Sequence, residues 1–272
     1  MPDRVERLEQ ADEAALVELL EQDPIANLFL LGFADAQLMS RGWWYGAFDD
    51  DRLVGVVLLL PGRLAVPWCP ESDDDAARLG DHLYALHRPS LLVGPRSQSD
   101  ALWRRWSRGK APSRSFDQRL YALQTPQPGA DPPGFRRADH MDWPVVAELT
   151  AAMELEDLGT DRAADDPSLH DHVVKERIKA GRTWVIEEDG DIVFQVNIGT
   201  SHPLGAQIGG TFVPPHARCR GLATLGIAAI GRHLLSYTPR VILHVNEANT
   251  PAVRVYERNG YVSSTPFRLI TP

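Results

Sequence analysis

PPHARCRGLAT, residues 214–224, lies where an apolar, strand-like run (AQIGGTFV) ends and a run of helical periodicity (LATLGIAAIGRHLL) begins. Pro214 and Pro215 stop the strand, and two readings fit the residues after them. One is a surface loop with two solvated arginines. The other is an anion cradle: a helix starting after Gly221 presents unpaired N–H groups and the positive end of its dipole to the preceding loop. Gly221 lets the backbone come close, Ala223 keeps the entrance clear, and Arg218 and Arg220 supply charge-assisted contacts. Two common nucleotide loops do not fit. A P-loop needs GxxxxGK before Ser or Thr, yet the lysines are Lys110, Lys175 and Lys179, and no GxGxxG follows the strand.

The composition makes such a site local. The 272-residue chain carries a formal charge of -9, the wrong balance for neutralising a nucleic-acid backbone. Cys69 and Cys219 are too few for a disulfide framework or a cysteine-rich metal site. The amino terminus, MPDRVERLEQADEAA, lacks the basic-then-apolar pattern of a leader. The longest apolar run, LVGVVLLL at 53–60, is far below the roughly 20 residues of a membrane span. The expectation is a soluble cytoplasmic protein with no metal, no nucleic acid and no membrane partner.

TPQPGADPPG at 125–134 breaks the chain, with proline and glycine in place of any hydrophobic period. Ahead of it the pattern reads strand RVERLE, helix ADEAALVELLEQ, a WWYGAF/RLVGVVLLL hairpin about Asp49-Asp50-Asp51, helix DAARLGDHLYALH, strand SLLVGP, helix SDALWRRW and strand QRLYAL. DPIANLFLLGFADAQ at 23–37 reads as a core helix. After it the pattern restarts: strand FRRAD; helix MDWPVVAELTAAMEL with Val145, Leu149 and Met153 every four residues; helix SLHDHVVKERIKAG stopped at Gly181; then a hairpin about Asp189-Gly190. Strand AQIGGTFV, helix LATLGIAAIGRHLL, strand VILHV, helix AVRVYERNG and a closing strand complete it. The order predicts a mixed α+β sheet protein with two halves of similar plan: 1–124, a linker at 125–134, and 135–272.

Arg218-Cys219-Arg220-Gly221-Leu222-Ala223 fits the pattern Q/R-x-x-G-x-G/A, and Asn249, Ala252, Tyr256, Gly260 and Tyr261 fit NxxAxxxYxxxGF with Tyr as the last residue. With both motifs in this order, one helix and one strand apart, residues 135–272 resemble the GNAT superfamily of N-acetyltransferases. The resemblance implies a GNAT-like fold and an acetyl-CoA site. The pyrophosphate would lie on the backbone of Arg218, Cys219, Arg220, Gly221, Leu222, Ala223 and Thr224, and the pantetheine arm would run beside Phe212 and Val213. Asn249 would support the cofactor side or cap the next helix, for which Thr250 and Pro251 fit equally well. The resemblance also implies a bulge in the preceding strand, and Gly209-Gly210 suits one.

Acetyl transfer needs a neutral amine, a stabilised oxyanion and a proton for the thiolate. Tyr256, matched to the family's tyrosine, is the expected general acid; apart from the motif it is a half-buried helix residue with its hydroxyl anchored. Glu154, Glu156 and Asp157 form an acidic cluster that either recognises a cationic amine or is a solvated helix end, and Glu154 is the candidate base. His244 and Asn246 share one face of their strand, and His216 is either a surface residue or a phosphate contact. In the first half the corresponding strand-to-helix junction is read as LLVGPRSQSDALW at 91–103, which lacks the motif. That half is therefore expected to be a degenerate GNAT-like domain that shapes an acceptor pocket or mediates a homodimer. The resulting expectation is an N-acyltransferase taking acetyl from acetyl-CoA to a small-molecule or peptide primary amine. The alternatives are an acyl-CoA-binding scaffold without turnover and a tandem aminoacyl transferase.

Overall fold

A computed structural model describes residues 4–34, 42–60, 64–88, 91–159 and 162–272. The strands are β1 (Arg4–Arg7), β2 (Trp43–Asp49), β3 (Arg52–Leu60), β4 (Leu64–Trp68), β5 (Leu91–Pro95), β6 (Arg114–Leu123), β7 (Phe135–Arg137), β8 (Thr183–Glu188), β9 (Asp191–His202), β10 (Gly205–Phe212), β11 (Val241–Asn246) and β12 (Val262–Thr271). The helices are α1 (Glu13–Glu21), α2 (Leu28–Leu31), α3 (Asp73–Leu86), α4 (Arg96–Trp106), α5 (Trp143–Leu158), α6 (Arg162–Asp165), α7 (Pro167–Lys179), α8 (Leu222–Leu235) and α9 (Thr250–Arg258). In place of one helix over 23–37, the described part gives a turn and the short α2; residues 35–37 lie outside the described residues.

The chain forms two compact units that interleave in sequence. One comprises Met1–Tyr121, His244–Thr250 and Ser263–Pro272, the other Ala122–Leu243 and Pro251–Val262. In the first unit β1 to β5 follow in order and β12 stands between β5 and β6. β12 is antiparallel to β5, in register from Phe267↔Pro95 to Ile270↔Leu92. Its core joins β2 and β3 to α3 and α4 through Val57, Leu79, Leu83, Leu102 and Trp106. At Gly80 an added Cβ would stand 2.5 Å from the Leu102 carbonyl oxygen, so α3 approaches α4 more closely than any side chain permits.

The second unit orders its strands β7-β8-β9-β10-β11. The β8–β9 hairpin turns on Asp189 (φ 51°) and Gly190 (φ 90°), the left-handed pair that the Asp-Gly dipeptide predicts. α8 buries Ile227, Ile230 and Leu234, as its periodicity requires. α5 differs from expectation. Val145 is exposed, and the buried positions are Val146, Ala147 and Thr150. A strict four-residue spacing drifts around a helix of 3.6 residues per turn, so Val145 and Met153 do not share one stripe. Residues 125–134 lack helix and strand yet are held: Arg232 donates to Gln127 O (3.3 Å), Ala130 O (3.0 Å) and Asp131 Oδ1 (2.7 Å).

The two units repeat one plan. In each, a strand leads into a helix and then into a second strand parallel to the first: β4 pairs with β5 through Leu64↔Leu91 and Ala65↔Leu92, and β10 with β11 through Ala206↔Val241 and Gln207↔Ile242. This corrects the junction assigned to the first half. The counterpart of residues 214–224 is Cys69–Ser72 ahead of α3, not 91–103, because β4 is a strand in its own right. LAVPW carries a proline and is short, and both features hid it.

Candidate active site

β10, the strand ahead of the Arg218–Ala223 motif, departs from a regular ladder. Opposite β9 its register moves from Gln207↔Thr200 to Ile208↔Ile198, then from Gly209↔Asn197 to Phe212↔Gln195. The first shift places an extra residue in β9 and the second one in β10. Among the described residues the parallel pairs with β11 are those at Ala206 and Gln207, just before these shifts. Gly210 makes the second bulge possible: its φ is +62°, and a Cβ there would lie 2.3 Å from Asn197 Nδ2. Asn197 cannot readily yield, since its Oδ1 accepts the buried Thr183 hydroxyl at 2.8 Å.

After β10 comes a 3-10 turn at Pro215–Ala217, then a stretch of unusual backbone. Cys219 (φ 62°) and Gly221 (φ 79°) are both left-handed, with Arg220 between them, and Gly221 is the N-cap of α8. Such alternation turns successive N–H groups toward one concavity, an anion-binding arrangement. The N–H groups of Cys219 to Thr224 donate to no backbone acceptor among the described residues, and the helical ladder starts at Leu225 N–H to Gly221 O (3.1 Å). A Cβ at Gly221 would meet nothing within 4 Å, so the space over the turn is open. The sequence points to Gly221 but not to the left-handed cysteine, because nothing in that residue type signals it.

The arginines are already occupied. Arg218 Nε donates to Val213 O (3.1 Å), its Nη2 meets Glu156 Oε2 (2.6 Å), and its guanidinium stands 5.5 Å from the Phe212 ring centre. Arg220 Nη2 bonds Glu188 Oε2 at 2.7 Å. These pairs are half exposed and worth little, so the turn's capacity for an anion rests on its backbone donors. Phe212 is buried at the end of β10, and the Val213 carbonyl is used by Arg218.

Tyr256 lies on the buried face of α9. Burial raises its phenol above the ordinary range; Thr211 opposes that effect by hydrogen bonding and the Asp157 carboxylate adds to it. The Thr211 contact is loose: its Oγ1 lacks a well-aligned hydrogen bond. The Tyr261 ring meets Tyr256 edge-on at 5.9 Å. A phenol so placed is neutral and protonated at neutral pH, the state a general acid requires. Glu154, one turn beyond Thr150 on α5, has Oε2 buried without a hydrogen-bond partner. Glu156 is the partner of Arg218, so the acidic cluster is divided between different tasks.

Asn249 stands in the turn before α9, its N–H donating to Asn246 O (2.9 Å), while Asn246 Oδ1 accepts the Ala248 N–H at 3.0 Å. His244 packs against the Phe267 ring at 4.5 Å, and burial brings its imidazole down to about 4, so it is neutral at pH 7. His216 is exposed on the 3-10 turn. In the first unit the corresponding helix end could not serve an anion. Ser72 caps α3 by accepting the Asp74 N–H (3.1 Å), and Asp73, Asp74 and Asp75 fill its first turn. Among the described residues no group of three or more His, Cys, Asp or Glu side chains could hold a metal, and no helix is long and apolar enough to cross a membrane.

A bulged strand, a left-handed turn of free N–H groups and a helix begun on glycine, followed by a strand and a tyrosine-bearing helix, define an acyltransferase-type domain. Residues 146–261 match the model of the acetyltransferase (GNAT) family, and this part of the chain is a GNAT acetyltransferase domain. The match supports acyl transfer as its class of reaction. No curated protein matches the sequence. Among solved structures the chain is similar to a Drosophila protein (15% identity, 99% of this chain and 98% of that one, TM-score 0.70). It is also similar to a GNAT-family acetyltransferase from Colwellia psychrerythraea (10% identity, 98% and 99%, TM-score 0.61). A third likeness is to a tandem GNAT protein from the clavulanic acid biosynthesis pathway (16% identity, 99% and 98%, TM-score 0.56). At these identities the likeness is one of fold. Its extent over the whole chain fits two GNAT-like domains.

Proposed function

We propose that the chain is an N-acyltransferase that moves an acetyl group from acetyl-CoA to the primary amine of a small molecule or peptide by direct attack. The observation that carries this reading is the turn at Cys219–Thr224, whose two left-handed residues and unpaired N–H groups suit a pyrophosphate beside the open bulge of β10. Arg218 to Thr224 would hold the phosphates, and the backbone at Phe212 and Val213 would run beside the pantetheine arm. Asn249 would support the same side. In the reaction the amine nitrogen bonds to the thioester carbonyl carbon, the C–S bond breaks, and the amine's surplus proton is taken up by the Glu154 side or by water. Tyr256 gives its phenolic proton to the departing sulfur, and the products are an amide and the free thiol. The desolvated Tyr256 phenol supports that role.

Calorimetric titration with acetyl-CoA tests the reading. Binding to the unaltered chain is expected, with loss in Gly221→Asp, which sets a carboxylate among the free N–H groups, and weakening in Arg220→Glu. Thiol release across an amine panel then separates an enzyme from a binding protein. No heat of binding with the unaltered chain would refute the proposal.

A further inference from the structure

The first unit has a cavity that acyl transfer in the second does not use. It measures about 490 Å³, the size of a small-molecule site, and its lining comes from the C-terminal ends of α3 and α4 and the residues just after them. Tyr84, Trp103 and Trp106 give it aromatic walls, and Arg88, Arg108 and Lys110 give it three cations. Among the described residues no aspartate or glutamate lines it, in a chain whose formal charge is -9. The walls are fixed by their own hydrogen bonds. Trp106 Nε1 donates to His87 O (2.9 Å), Trp103 Nε1 to Lys110 O (3.1 Å), and Ser107 Oγ to the same carbonyl (3.1 Å). They hold the segment after α4 as it turns through Arg108 (φ 55°) and Gly109 (φ 75°). The indole N–H groups are thereby spent, so the aromatic lining is apolar ring.

The three cations differ in what they already bind. The Arg108 guanidinium lies over the Tyr84 ring at 4.1 Å, and its Nη1 bonds Asp81 Oδ1 at 2.8 Å. Arg88 and Lys110 are exposed, and among the described residues their side chains form no ion pair and donate no hydrogen bond. Cations near a helix end ordinarily serve its last carbonyls. Here the backbone does that: Leu83 O accepts the His87 N–H (2.7 Å), Trp103 O the Ser107 N–H (2.8 Å) and Arg104 O the Gly109 N–H (2.9 Å). Arg88 and Lys110 are thus not needed as caps. We propose that this cavity binds a small planar anion, an aromatic ring bearing a carboxylate or a phosphate. Its ring would lie against Trp103 and Tyr84, and Lys110 and Arg88 would take its charge through charge-assisted bonds. An aryl carboxylate and a nucleoside monophosphate share that chemistry. The site is distinct from the acidic start of α3, which lies at the other end of a 14-residue helix, about 20 Å away.

Calorimetric titration of the full chain tests this with two probes, indoleacetate and adenosine monophosphate, each against its uncharged counterpart, indoleacetamide and adenosine. Whichever anion binds identifies the source of the ligand. It should bind at least about 10-fold more tightly than its counterpart, and the preference should shrink as salt is raised. Arg88→Gln and Lys110→Gln should each weaken it by about 3- to 10-fold, and the double variant should bring the ratio near one. Tyr84→Ala should weaken the anion and its counterpart alike. All three side chains are exposed, so the fold should persist, as the urea midpoint of each variant checks. No heat of binding with either anion at millimolar concentration would overturn the inference, as would equal binding of the uncharged counterparts or an affinity unchanged in the double variant. Binding that survives the double variant but is lost in Gly221→Asp would place the ligand at the turn before α8 and overturn it too.

Discussion

Gly210→Ala, measured against Gly209→Ala, isolates the bulge of β10. The two glycines are neighbours, and substitution adds the same methyl group, but the surroundings differ. At Gly209 a Cβ meets nothing within 4 Å. At Gly210 it must adopt φ near +62° and lies 2.3 Å from the Asn197 side chain. A left-handed alanine costs about 1–2 kcal/mol. Displacing Asn197 breaks its bond with Thr183, whose hydroxyl is wholly buried, and stranding that group costs about 1–3 kcal/mol more. The total is about 2–5 kcal/mol, against a change of at most about 1 kcal/mol at Gly209, where removing backbone freedom from the unfolded chain works in the opposite direction. Urea denaturation followed by tryptophan fluorescence, with Trp184 on β8 as the reporter of the second unit, compares the midpoints at equal slope. If Gly210→Ala matches Gly209→Ala to within about 0.5 kcal/mol, the bulge of β10 does not depend on the left-handed glycine and the reasoning is wrong. That margin is the usual scatter of surface substitutions.

Tyr256→Phe should lower turnover by roughly 100- to 10,000-fold, the usual worth of a positioned general acid, with acetyl-CoA affinity retained. Unchanged turnover at every pH would reject the role. Because burial raises the Tyr256 phenol, any alkaline fall in rate that belongs to this group should begin above about pH 10, and Tyr256→Phe should remove it. His244 gives an acid limb for stability. Its imidazole titrates at about 4 in the folded chain and near 6.5 when unfolded, so its contribution is present above about pH 6.5 and is lost as pH falls toward 4. The slope from this one group is about 1.4 kcal/mol per pH unit, and His244→Gln should flatten the decline in a series of denaturation curves. An identical slope in the variant would contradict the burial argument.

Where a feature depends on a few consecutive residues, the sequence is sufficient. Asp189-Gly190 fixes a hairpin because its two positive φ values suit those residue types, Gly181 ends α7 at φ 66°, and α8 follows from its apolar period. Gly221 and Tyr256 stand out because a left-handed helix start favours glycine and because both fall at fixed places in two motifs, whose spacing sets their order. The register of α5 is not legible in this way, because exposure depends on which neighbours cover a face, and Val145 is left exposed. The pairing of Arg218 with Glu156 and of Arg220 with Glu188 joins residues 62 and 32 apart, which no local pattern encodes.

By itself, then, the sequence determined the glycine that opens α8, the helix itself and the tyrosine downstream, because backbone conformation and residue type are local. Only the tertiary structure decided that β12 completes the first unit between β5 and β6, and that Arg232 holds residues 125–134. It alone showed an acidic, self-capped helix end as the first unit's counterpart of the turn. Strand partners are chosen by hydrogen-bond ladders and buried area between segments far apart in the chain, and those terms act only once the chain has closed on itself.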